Sequence, residues 1–567
     1  MLLGIDVGGT HTDAVAVDLN REPGKRVAAT AKVRTDHADL LGSVVGALEE
    51  ILHQVDPAEI RRLNLSTTLS TNAIVENRTE EVGVLVSSGP GIDPTNYMLC
   101  KQFHTLGGSV DHRGTEVRRV PPAEIDAAYA ACREDGIRVF AVVGKFSTRN
   151  PVHENTIQAG ICKRDQPGPC RDADFVTLGH EMGGRLNFPR RIATAYFNAA
   201  VWRLYNQFAD AAQASLERLG LGHVRVHALK ADGGTIPLEA SRTRPVQSIF
   251  SGPAASVMGI IALSEIAHDS VILDIGGTTT DIAIFASGSP LLEPDGIDIG
   301  SHPTLVRALK VRSIGIGGDS AVRVLGDEVR VGPNRLGPCL AAGGCHPTLT
   351  DALNWAGLSS FGDLEQSRKG LAAYAEEHTI PPDLLAKKAV DYAAEAIHAA
   401  CRELVEDINS KPVYTIHELL EGVRIVPRKL YLMGGPAEAL KTPLFERFRL
   451  ATEVPENYAV ANAVGAALTR VTTGIELFAD TDKGMLFIPE LGVRENVPTR
   501  YSLEDAKRDA MNHLLGHLKD LGLARDGSRA EITHASSFNM VEGSRTVGRT
   551  IRVTCQLAPG VHRLAGD

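Results

Sequence analysis

The sequence predicts an α/β protein made of two duplicated lobes, followed by a small α+β domain. Three observations predict this architecture: an octet that occurs twice, buried strands that alternate with amphipathic helices, and a change of pattern near residue 474. A chain of 567 residues is also too long to fold around a single hydrophobic core. We therefore expect a first lobe over residues 1–240, a second over 241–473 and a C-terminal domain over 474–567.

The duplicated octet begins at Asp6 and again at Asp274. The two copies read DVGGTHTD and DIGGTTTD, so they match at six of eight positions. Such a match in register indicates an internal duplication. Apolar runs flank each copy on both sides. Apolar runs around a tight glycine turn predict a β-hairpin rather than the strand-to-helix turn of a P-loop.

Each predicted hairpin carries the groups that a phosphate site needs. Adjacent glycines allow positive φ and bring backbone N–H groups close to an anion, and threonine hydroxyls add donors. The leading carboxylate of each copy can hold Mg²⁺ through water. Ordinary turns with chance Asp and Thr residues are the alternative, which the recurrence disfavours. The expected contacts are Gly8, Gly9, Thr10, Gly276, Gly277 and Thr278 for phosphate, and Asp6 and Asp274 for Mg²⁺. Asp13 and Asp281, which close the octets, either support these residues or cap the hairpins.

The rest of the first 473 residues alternates helices with buried strands, which is typical of an α/β protein. The expected helices cover 42–55, 122–135, 190–219, 385–405 and 457–470. The expected strands cover 82–86, 139–143, 175–181, 224–229 and 428–433. A hydroxyl-rich turn at 64–73 begins a further helix, where it suits an anionic ligand or simply caps the helix.

The last 94 residues, 474–567, have a different pattern. Short strands at 485–488, 530–533 and 550–554 surround one helix at 503–523, which predicts a small α+β domain. We find no catalytic motif in this part. We expect it to contact a partner or another protomer.

Three further motifs invite a functional interpretation. His180 and Glu181 end a predicted strand and are consistent with an acid/base pair or with metal ligands, but Gly184 stands where the zinc pattern H-E-x-x-H needs a second His. We keep His180 and Glu181 as candidates for substrate activation. Gly317 and Gly318 belong to a glycine-dense loop of the kind that carries binding residues. A third Asp-Gly-Gly-Thr run, at 232–235, lacks the flanking hairpin pattern, so we do not assign it to phosphate.

Composition excludes several classes of partner. The formal net charge is −10 and the isoelectric point is near 6.0, which argues against nucleic acid or an anionic membrane. No stretch approaches the roughly 18 uninterrupted apolar residues of a membrane helix, and the N-terminus lacks a signal-peptide pattern. We therefore expect a cytoplasmic protein. The eight cysteines contain no C-x-x-C pair and are expected to be reduced thiols.

A small cluster of potential metal ligands comprises Cys339, Cys345 and His346. A metal site is one interpretation of this cluster. The other is a pair of thiols in a glycine-rich loop, which we favour.

The two octets resemble the phosphate loops of the sugar kinase, Hsp70 and actin superfamily. In that superfamily two ribonuclease-H-like lobes each donate a phosphate hairpin to one ATP cleft. The resemblance implies the same fold here, with ATP and Mg²⁺ between the lobes. It also implies that adenosine lies against Gly434 and Gly435, which follow the predicted strand 428–433.

Several motifs, in order, resemble one branch of that superfamily, the hydantoinase A and 5-oxoprolinase family. The matching stretches are 6–13, 66–73, 146–154, 179–181, 232–234, 244–246, 251–254, 274–281, 314–320, 343–344, 347–352 and 434–435. The sequence departs from the family at His11, where members often have an aromatic residue, and the chain is shorter than many family A subunits. A relative of the family with another substrate is therefore an open alternative.

The resemblance implies an ATP-dependent hydrolase that opens a hydantoin- or 5-oxoproline-like ring after phosphorylating its amide oxygen. Asp6, Asp274, His180 and Glu181 are the expected catalytic residues, and Gly317 and Gly318 join the expected nucleotide contacts. The alternatives are the ATP-using subunit of an acetone- or acetophenone-type carboxylase, a small-molecule kinase and a nucleotide-gated switch. The expected partners are a small-molecule substrate, a hydantoinase B-like subunit and further copies of the chain.

Overall fold

The computed structural model describes residues 1–22, 24–36, 38–163, 173–293, 295–410, 424–522, 530–562 and 564, apart from the side chain of Glu542. The predicted fold class is confirmed, because two related α/β lobes precede a small α+β domain. Among the described helices, none is long and apolar enough to cross a membrane.

The first lobe is built on a mixed sheet with the strand order β12-β11-β4-β1-β2-β3 and a second sheet with the order β10-β9-β5-β6. Its strands are β1 (Leu2–Val7), β2 (His11–Val17), β3 (Val27–Arg34), β4 (Arg62–Thr67), β5 (Val82–Ser87), β6 (Phe103–Leu106), β7 (Ser109–Val110), β8 (Glu116–Arg118), β9 (Val139–Gly144), β10 (Phe175–Leu178), β11 (Arg225–Leu229) and β12 (Thr235–Pro237). Its helices are α1 (Leu40–Leu52), α2 (Leu69–Val75), α3 (Pro122–Glu134), α4 (Val152–Cys162), α5 (Phe188–Arg218) and α6 (Leu238–Ser241).

The second lobe repeats the central part of the first sheet, in the order β15-β14-β13-β21-β22, with β18 also paired to β14. Its strands are β13 (Ser270–Ile275), β14 (Thr280–Ala286), β15 (Ser289–Pro290), β16 (Asp298–Ile299), β17 (His302–Pro303), β18 (Val311–Ile314), β19 (Ser320–Leu325), β20 (Glu328–Arg335), β21 (Lys429–Met433) and β22 (Ala451–Glu453). The helices from residue 251 to 468 are α7 (Ser251–Leu263), α8 (Leu349–Trp355), α9 (Leu364–Glu377), α10 (Pro382–Ser410), α11 (Ala437–Phe448) and α12 (Ala461–Leu468).

The duplication seen in the octets extends to the strand pairing. β1 pairs antiparallel with β2 and parallel with β4, and β13 pairs antiparallel with β14 and parallel with β21. The registers also agree, because Asp6 lies opposite Asp13 and Asp274 lies opposite Asp281. Each octet therefore forms the turn of a hairpin at the same place in its sheet.

Helices α7 and α12 form a layer between the two central sheets and bring their backbones into contact. A β-carbon at Gly465 of α12 would lie 2.1 Å from the carbonyl oxygen of Ala255 in α7. A β-carbon at Gly4 of β1 would lie 2.1 Å from the carbonyl oxygen of Ala463 in α12. Only glycine fits at such close approaches. The small residues of these helices therefore bring the two hairpins together.

The C-terminal domain is an antiparallel sheet with one helix packed on it. The sheet has the order β25-β24-β23-β27-β26. Its elements are β23 (Gly474–Asp480), β24 (Met485–Ile488), β25 (Val493–Asn496), α13 (Leu503–Asp520), β26 (Ala530–Glu542) and β27 (Arg545–Leu557). Ser502 begins α13 with a capping box, and Leu514 is buried against the sheet with Val553.

Two expectations from the sequence are wrong. The run at 232–235 does lie in a hairpin, since β11 and β12 pair antiparallel with Leu229 opposite Thr235. Its Asp232 is buried, bonded to Lys230 and Thr472. Cys162 is disulfide-bonded, so not every cysteine is a reduced thiol. Cys170 lies outside the described residues, and the other six cysteines are free thiols as expected: Cys100, Cys132, Cys339, Cys345, Cys401 and Cys555.

Candidate active site

The two hairpins face each other across a cleft of about 330 Å³ between the lobes. The cleft is also lined by the N-terminal turn of α7, by the residues after β21 and by Asn462 of α12. The residues assigned from the sequence that line it are Asp6, Gly8, Gly9, Thr10, Asp274, Gly276, Gly277, Thr278, Gly318, Gly434 and Gly435. The fold thus brings together groups that lie more than 400 residues apart in the chain.

Among the hairpin glycines, Gly8 and Gly277 have neighbours too close for a β-carbon, whereas nothing lies within 4 Å of one added at Gly9. None of Gly8, Gly9, Gly276 and Gly277 adopts the positive φ that glycine permits. A β-carbon at Gly277 would lie 2.9 Å from Cγ2 of Thr10 in the opposite hairpin. The absence of a side chain at this glycine therefore lets the two turns approach each other.

Gly434 requires glycine for both reasons. Its φ is +89°, and a β-carbon there would lie 2.3 Å from the carbonyl oxygen of Ile275 and 2.7 Å from Oδ1 of Asp274. L-residues rarely adopt such a φ. At Gly435, by contrast, nothing lies within 4 Å of the added carbon. Gly434 therefore fits tightly against β13, while the next glycine borders open space.

Gly317 and Gly318 pack against the turn of the second hairpin. The N–H of Gly318 donates to the carbonyl of Gly276 at 2.9 Å, and a β-carbon at Gly317 would lie 2.7 Å from the carbonyl carbon of Gly277. Gly318 also lines the cleft, whereas Gly317 packs beneath the turn. The side chain of Asp319 accepts a hydrogen bond of 3.0 Å from Arg335 at the same place.

Asp6 and Asp274 lie at the centre of the cleft and share one donor. Nδ2 of Asn462 lies 3.4 Å from Oδ2 of Asp6 and 3.2 Å from Oδ2 of Asp274. Oγ of Ser256 donates a further hydrogen bond of 2.5 Å to Asp274. Oδ1 of Asp6 is buried without a hydrogen-bond partner in the described part of the chain. An unpaired buried carboxylate oxygen is a natural place for a cation or its water.

The cleft holds several buried carboxyl groups close together, and their pKa values are raised. Burial raises the pKa of Asp6 to about 7, and the charges of Asp13 and Asp274 add to the rise. Burial also raises the pKa of Asp274 above its ordinary value. A cation bound nearby would stabilise the charged form of these carboxylates and lower their pKa values.

The two hairpins differ in the strand that pairs with their second strand, which is β3 beside β2 in the first lobe and β18 beside β14 in the second. Asp13 lies opposite Lys32 of β3, whose Nζ is 2.8 Å from Oδ1 of Asp13. Asp281 lies opposite Ser313 of β18, so no lysine occupies the corresponding position. Burial raises the pKa of Asp281 to about 7, and Asp274 adds to the rise. Burial raises the pKa of Asp13 as well, but Lys32 opposes that rise.

His180 and Glu181 are not among the described residues that line the cleft. Nδ1 of His180 lies 2.5 Å from Oε2 of Glu154, and the N–H of His180 donates to the same oxygen. Arg191 lies 3.8 Å from the other oxygen of Glu154, and all three side chains are buried. Glu181, the neighbour in sequence, is exposed.

The pair formed by His180 and Glu154 is electrostatically favourable. Burial opposes the charge of each group, but the contact with Glu154 outweighs it and raises the pKa of His180. The same contact, with help from Arg191, holds the pKa of Glu154 below its ordinary value despite burial. His180 borders a cavity of about 550 Å³ between α4 and the C-terminal domain. The acid that contacts this histidine is thus Glu154 rather than Glu181.

Cys339, Cys345 and His346 do not form a metal site in the part of the chain that the structure describes. No group of three or more His, Cys, Asp or Glu residues there has the geometry to hold a metal ion. Nε2 of His346 lies 2.8 Å from the carbonyl oxygen of Val322, while Cys339 is buried and Cys345 is exposed. The glycine-rich loop that we favoured from the sequence is the better description.

The sequence interpretation missed several residues of the cleft. Asn462 and Ser256 line the cleft from α12 and α7, two helices of mostly small residues. Phe361 and Tyr458 line the cleft as well, from segments without a recognisable motif. A polar residue within an otherwise small and apolar helix was the one available signal, and it is present at both Asn462 and Ser256.

Two models of one protein family match most of the chain. The hydantoinase/oxoprolinase family model matches residues 191–474, and the model of the family's N-terminal region matches residues 2–164. The chain belongs to the hydantoinase/oxoprolinase family. Both hairpins, with Asp6 and Asp274, lie within the matched regions.

Among its relatives, this hydantoinase/oxoprolinase family member is similar to the caprolactamase subunit alpha of Pseudomonas jessenii. The two are 28% identical over 386 residues, which are 62% of this chain and 53% of the relative. The chain therefore spans about half the length of that protein.

Two solved structures share the fold of this family member across its whole length. Nucleotide-free acetone carboxylase has a TM-score of 0.71 at 14% identity and matches 100% of this chain and 88% of the other. The ATP-dependent caprolactamase from Pseudomonas jessenii has a TM-score of 0.68 at 19% identity, with the same coverage of 100% and 88%. At these identities the likeness concerns the fold alone.

Proposed function

We propose that this chain is an ATP-dependent hydrolase that opens a cyclic amide after phosphorylating its amide oxygen. The observation that carries the proposal is the pair of facing hairpins, whose Asp6 and Asp274 share Asn462 across one cleft. Membership of the hydantoinase/oxoprolinase family and the similarity to a caprolactamase subunit support the same reaction.

The nucleotide would lie along the cleft with its phosphates between the hairpins. The backbone N–H groups and hydroxyls at Gly8–Thr10 and Gly276–Thr278 are the phosphate contacts in this proposal. Adenosine would lie against Gly434 and Gly435, and its base would stack on the ring of Phe361. Asp6 and Asp274 would hold Mg²⁺, which neutralises phosphate charge, and the unpaired Oδ1 of Asp6 fits that role.

The chemistry requires the amide oxygen to attack the γ-phosphorus of ATP and release ADP. The O-phosphorylated amide carbon is then electrophilic, so water can add to it. Collapse of the adduct breaks the C–N bond and leaves an amine and an acyl phosphate. A second water then hydrolyses the acyl phosphate to a carboxylate and free phosphate. The protein contributes positioning and stabilisation of charge, as in other phosphoryl transfers.

A companion subunit is part of the proposal. The similar caprolactamase chain is itself named a subunit. A hydantoinase B-like protein is the companion that we propose. The ATP-using subunit of a carboxylase is the second candidate function, because the chain is 23% identical over 392 residues to the acetophenone carboxylase gamma subunit of Aromatoleum aromaticum.

The test is phosphate release from Mg-ATP by the purified chain in the presence of hydantoin, 2-pyrrolidinone, caprolactam or 5-oxoproline. We expect at least one ring to stimulate release and Asp274→Asn to abolish the stimulation. Asp126→Asn, at an exposed carboxylate on α3, is the matched control and should behave as the wild type. If no ring stimulates release while ATP still binds, the hydrolase proposal is wrong and the carboxylase candidate is favoured.

A further inference from the structure

A second cavity, which we call the side cavity, adjoins the nucleotide cleft. It has a volume of about 520 Å³ and lies between the N-terminal turn of α7, strand β18 and the first-lobe residues Arg190 and Ala231. Asp281 and Pro253 line both the side cavity and the cleft. A small molecule in the side cavity would therefore lie next to the second hairpin, where the phosphates of ATP are proposed to bind.

The polar edge of the side cavity arises from the difference between the two hairpins. Asp281 and Ser313 lie opposite each other on β14 and β18, and both line the cavity. Lys32 occupies the position of Ser313 in the first copy and forms an ion pair with Asp13. The second copy thus presents a carboxyl and a hydroxyl group that are not engaged by a lysine. Such groups can accept the N–H of an amide and donate to its oxygen.

Part of the lining of the side cavity is apolar. Phe250, Ala254 and Leu309 contribute to it. Phe250 adopts a left-handed conformation with φ of 62°, and its N–H donates to Oγ1 of Thr71 at 3.0 Å. Non-glycine residues rarely adopt this conformation, and such strain is concentrated at binding sites. The methylene groups of a small ring suit this surface.

The charges around the side cavity disfavour an anionic ligand. Four carboxylates line it, those of Asp281, Glu293, Asp295 and Asp298, against one cation, Arg190. Nη1 of Arg190 already donates to the carbonyls of Gly296 and Thr304 at 3.2 and 2.8 Å. Lys310 and Arg185 pair with Glu293 and Asp295, so the basic groups nearby are engaged. A carboxylate on the ligand would meet like charge.

We propose that the side cavity binds an uncharged cyclic amide, with the amide group at Asp281 and Ser313 and the ring against Phe250 and Leu309. This inference rests on the proposed function and narrows its substrate class. It separates neutral lactams and hydantoins from 5-oxoproline, which carries a carboxylate at neutral pH.

Ligand binding to the full chain, measured by saturation-transfer NMR, tests the inference without turnover. The probes are 2-pyrrolidinone, 5-oxoprolinamide and 5-oxoproline, each with and without a non-hydrolysable ATP analogue and Mg²⁺. 5-Oxoprolinamide and 5-oxoproline differ chiefly in one charge. We expect both neutral rings to bind at least about tenfold more tightly than 5-oxoproline, a difference of ~1.4 kcal/mol. Equal affinity for the matched pair, or no binding of any ring, would overturn the inference.

Filling the cavity provides a second, independent readout. Ser313 is exposed, so Ser313→Phe should leave the core intact, abolish binding of the neutral rings and preserve binding of the nucleotide. Ser537→Phe, at an exposed serine on β26, is the matched control. Ring binding that survives Ser313→Phe refutes the cavity assignment but leaves the proposed function standing. Ring binding that is lost in Ser313→Phe, without any ring-stimulated phosphate release, supports the cavity and refutes the hydrolase.

Discussion

Asp6 and Asp274, one from each copy of the octet, share the side-chain amide of Asn462 as a hydrogen-bond donor. The amide projects from α12, the helix that packs against β1 and α7 through glycine contacts. A single side chain therefore joins the functional ends of the two lobes. The relative position of the two carboxylates depends on this helix.

Replacing Asn462 should remove the hydrogen-bond donor that Asp6 and Asp274 share. In Asn462→Ala both lose a neutral donor, and hydrogen bonds to charged groups contribute about 1.5–3 kcal/mol. We expect ring-stimulated phosphate release to fall roughly ten- to hundredfold, measured by steady-state kinetics. The control is Asn539→Ala, at an exposed residue of β26. An unchanged rate in Asn462→Ala would show that the shared donor is dispensable.

Stability should depend on pH through Asp6. Its pKa rises from 3.8 to about 7 on folding, so the folded state keeps its proton longer than the unfolded state. The free energy of unfolding therefore falls as the pH rises through this window and levels off above it. Asp281 acts in the same direction with a pKa of about 7.

The variant Asp6→Asn removes the Asp6 contribution to this dependence. The free energy of unfolding of the variant minus that of the wild type should be larger at pH 8 than at pH 5. Urea unfolding without nucleotide measures this difference. Asp126→Asn again serves as the control. The same stability difference at both pH values would contradict the raised pKa of Asp6.

Gly434 and Gly435 form a matched pair of adjacent positions. Gly434→Ala should lower the free energy of unfolding by about 1–3 kcal/mol, because its φ is positive and the added carbon meets Ile275 and Asp274. Gly435→Ala meets nothing within 4 Å and should change the stability little. Thermal or urea unfolding of both variants checks this expectation, which equal destabilisation would contradict.

Phe361 provides a test of the nucleotide orientation. Its side chain is 53% exposed yet lines the cleft, so it is available to stack on a base. We expect Phe361→Ala to raise KM for ATP about tenfold with little change in kcat, since stacking of a base contributes ~1–3 kcal/mol. Phe538→Ala, at a phenylalanine 68% exposed on β26, should have no effect. A normal KM for ATP in Phe361→Ala would exclude the proposed position of adenosine.

His180 should matter more for stability than for the nucleotide. His180→Ala leaves Glu154 buried beside Arg191 without its main partner, and breaking a buried ion pair typically costs about 3–5 kcal/mol. We expect a lower free energy of unfolding with an unchanged affinity for ATP, measured by calorimetry. Glu181→Gln, at an exposed neighbour, is the control. Loss of ring-stimulated phosphate release at normal stability would instead support the role in substrate activation.

The sequence by itself determined the duplication, the two hairpins and the fold class. These features depend on local patterns: apolar runs, tight turns and the spacing of helices. The hairpins appear where the octets predicted them, with Asp6 opposite Asp13 and Asp274 opposite Asp281.

Only the tertiary structure decided which distant groups meet. It brought Asn462 to Asp6, placed Lys32 beside Asp13 but Ser313 beside Asp281, and gave His180 the partner Glu154 instead of its neighbour Glu181. These contacts depend on the register of strands and the crossing of helices far apart in the chain, which no local pattern encodes. For that reason the two hairpins could be predicted from the sequence, whereas the asymmetry that forms the side cavity could not.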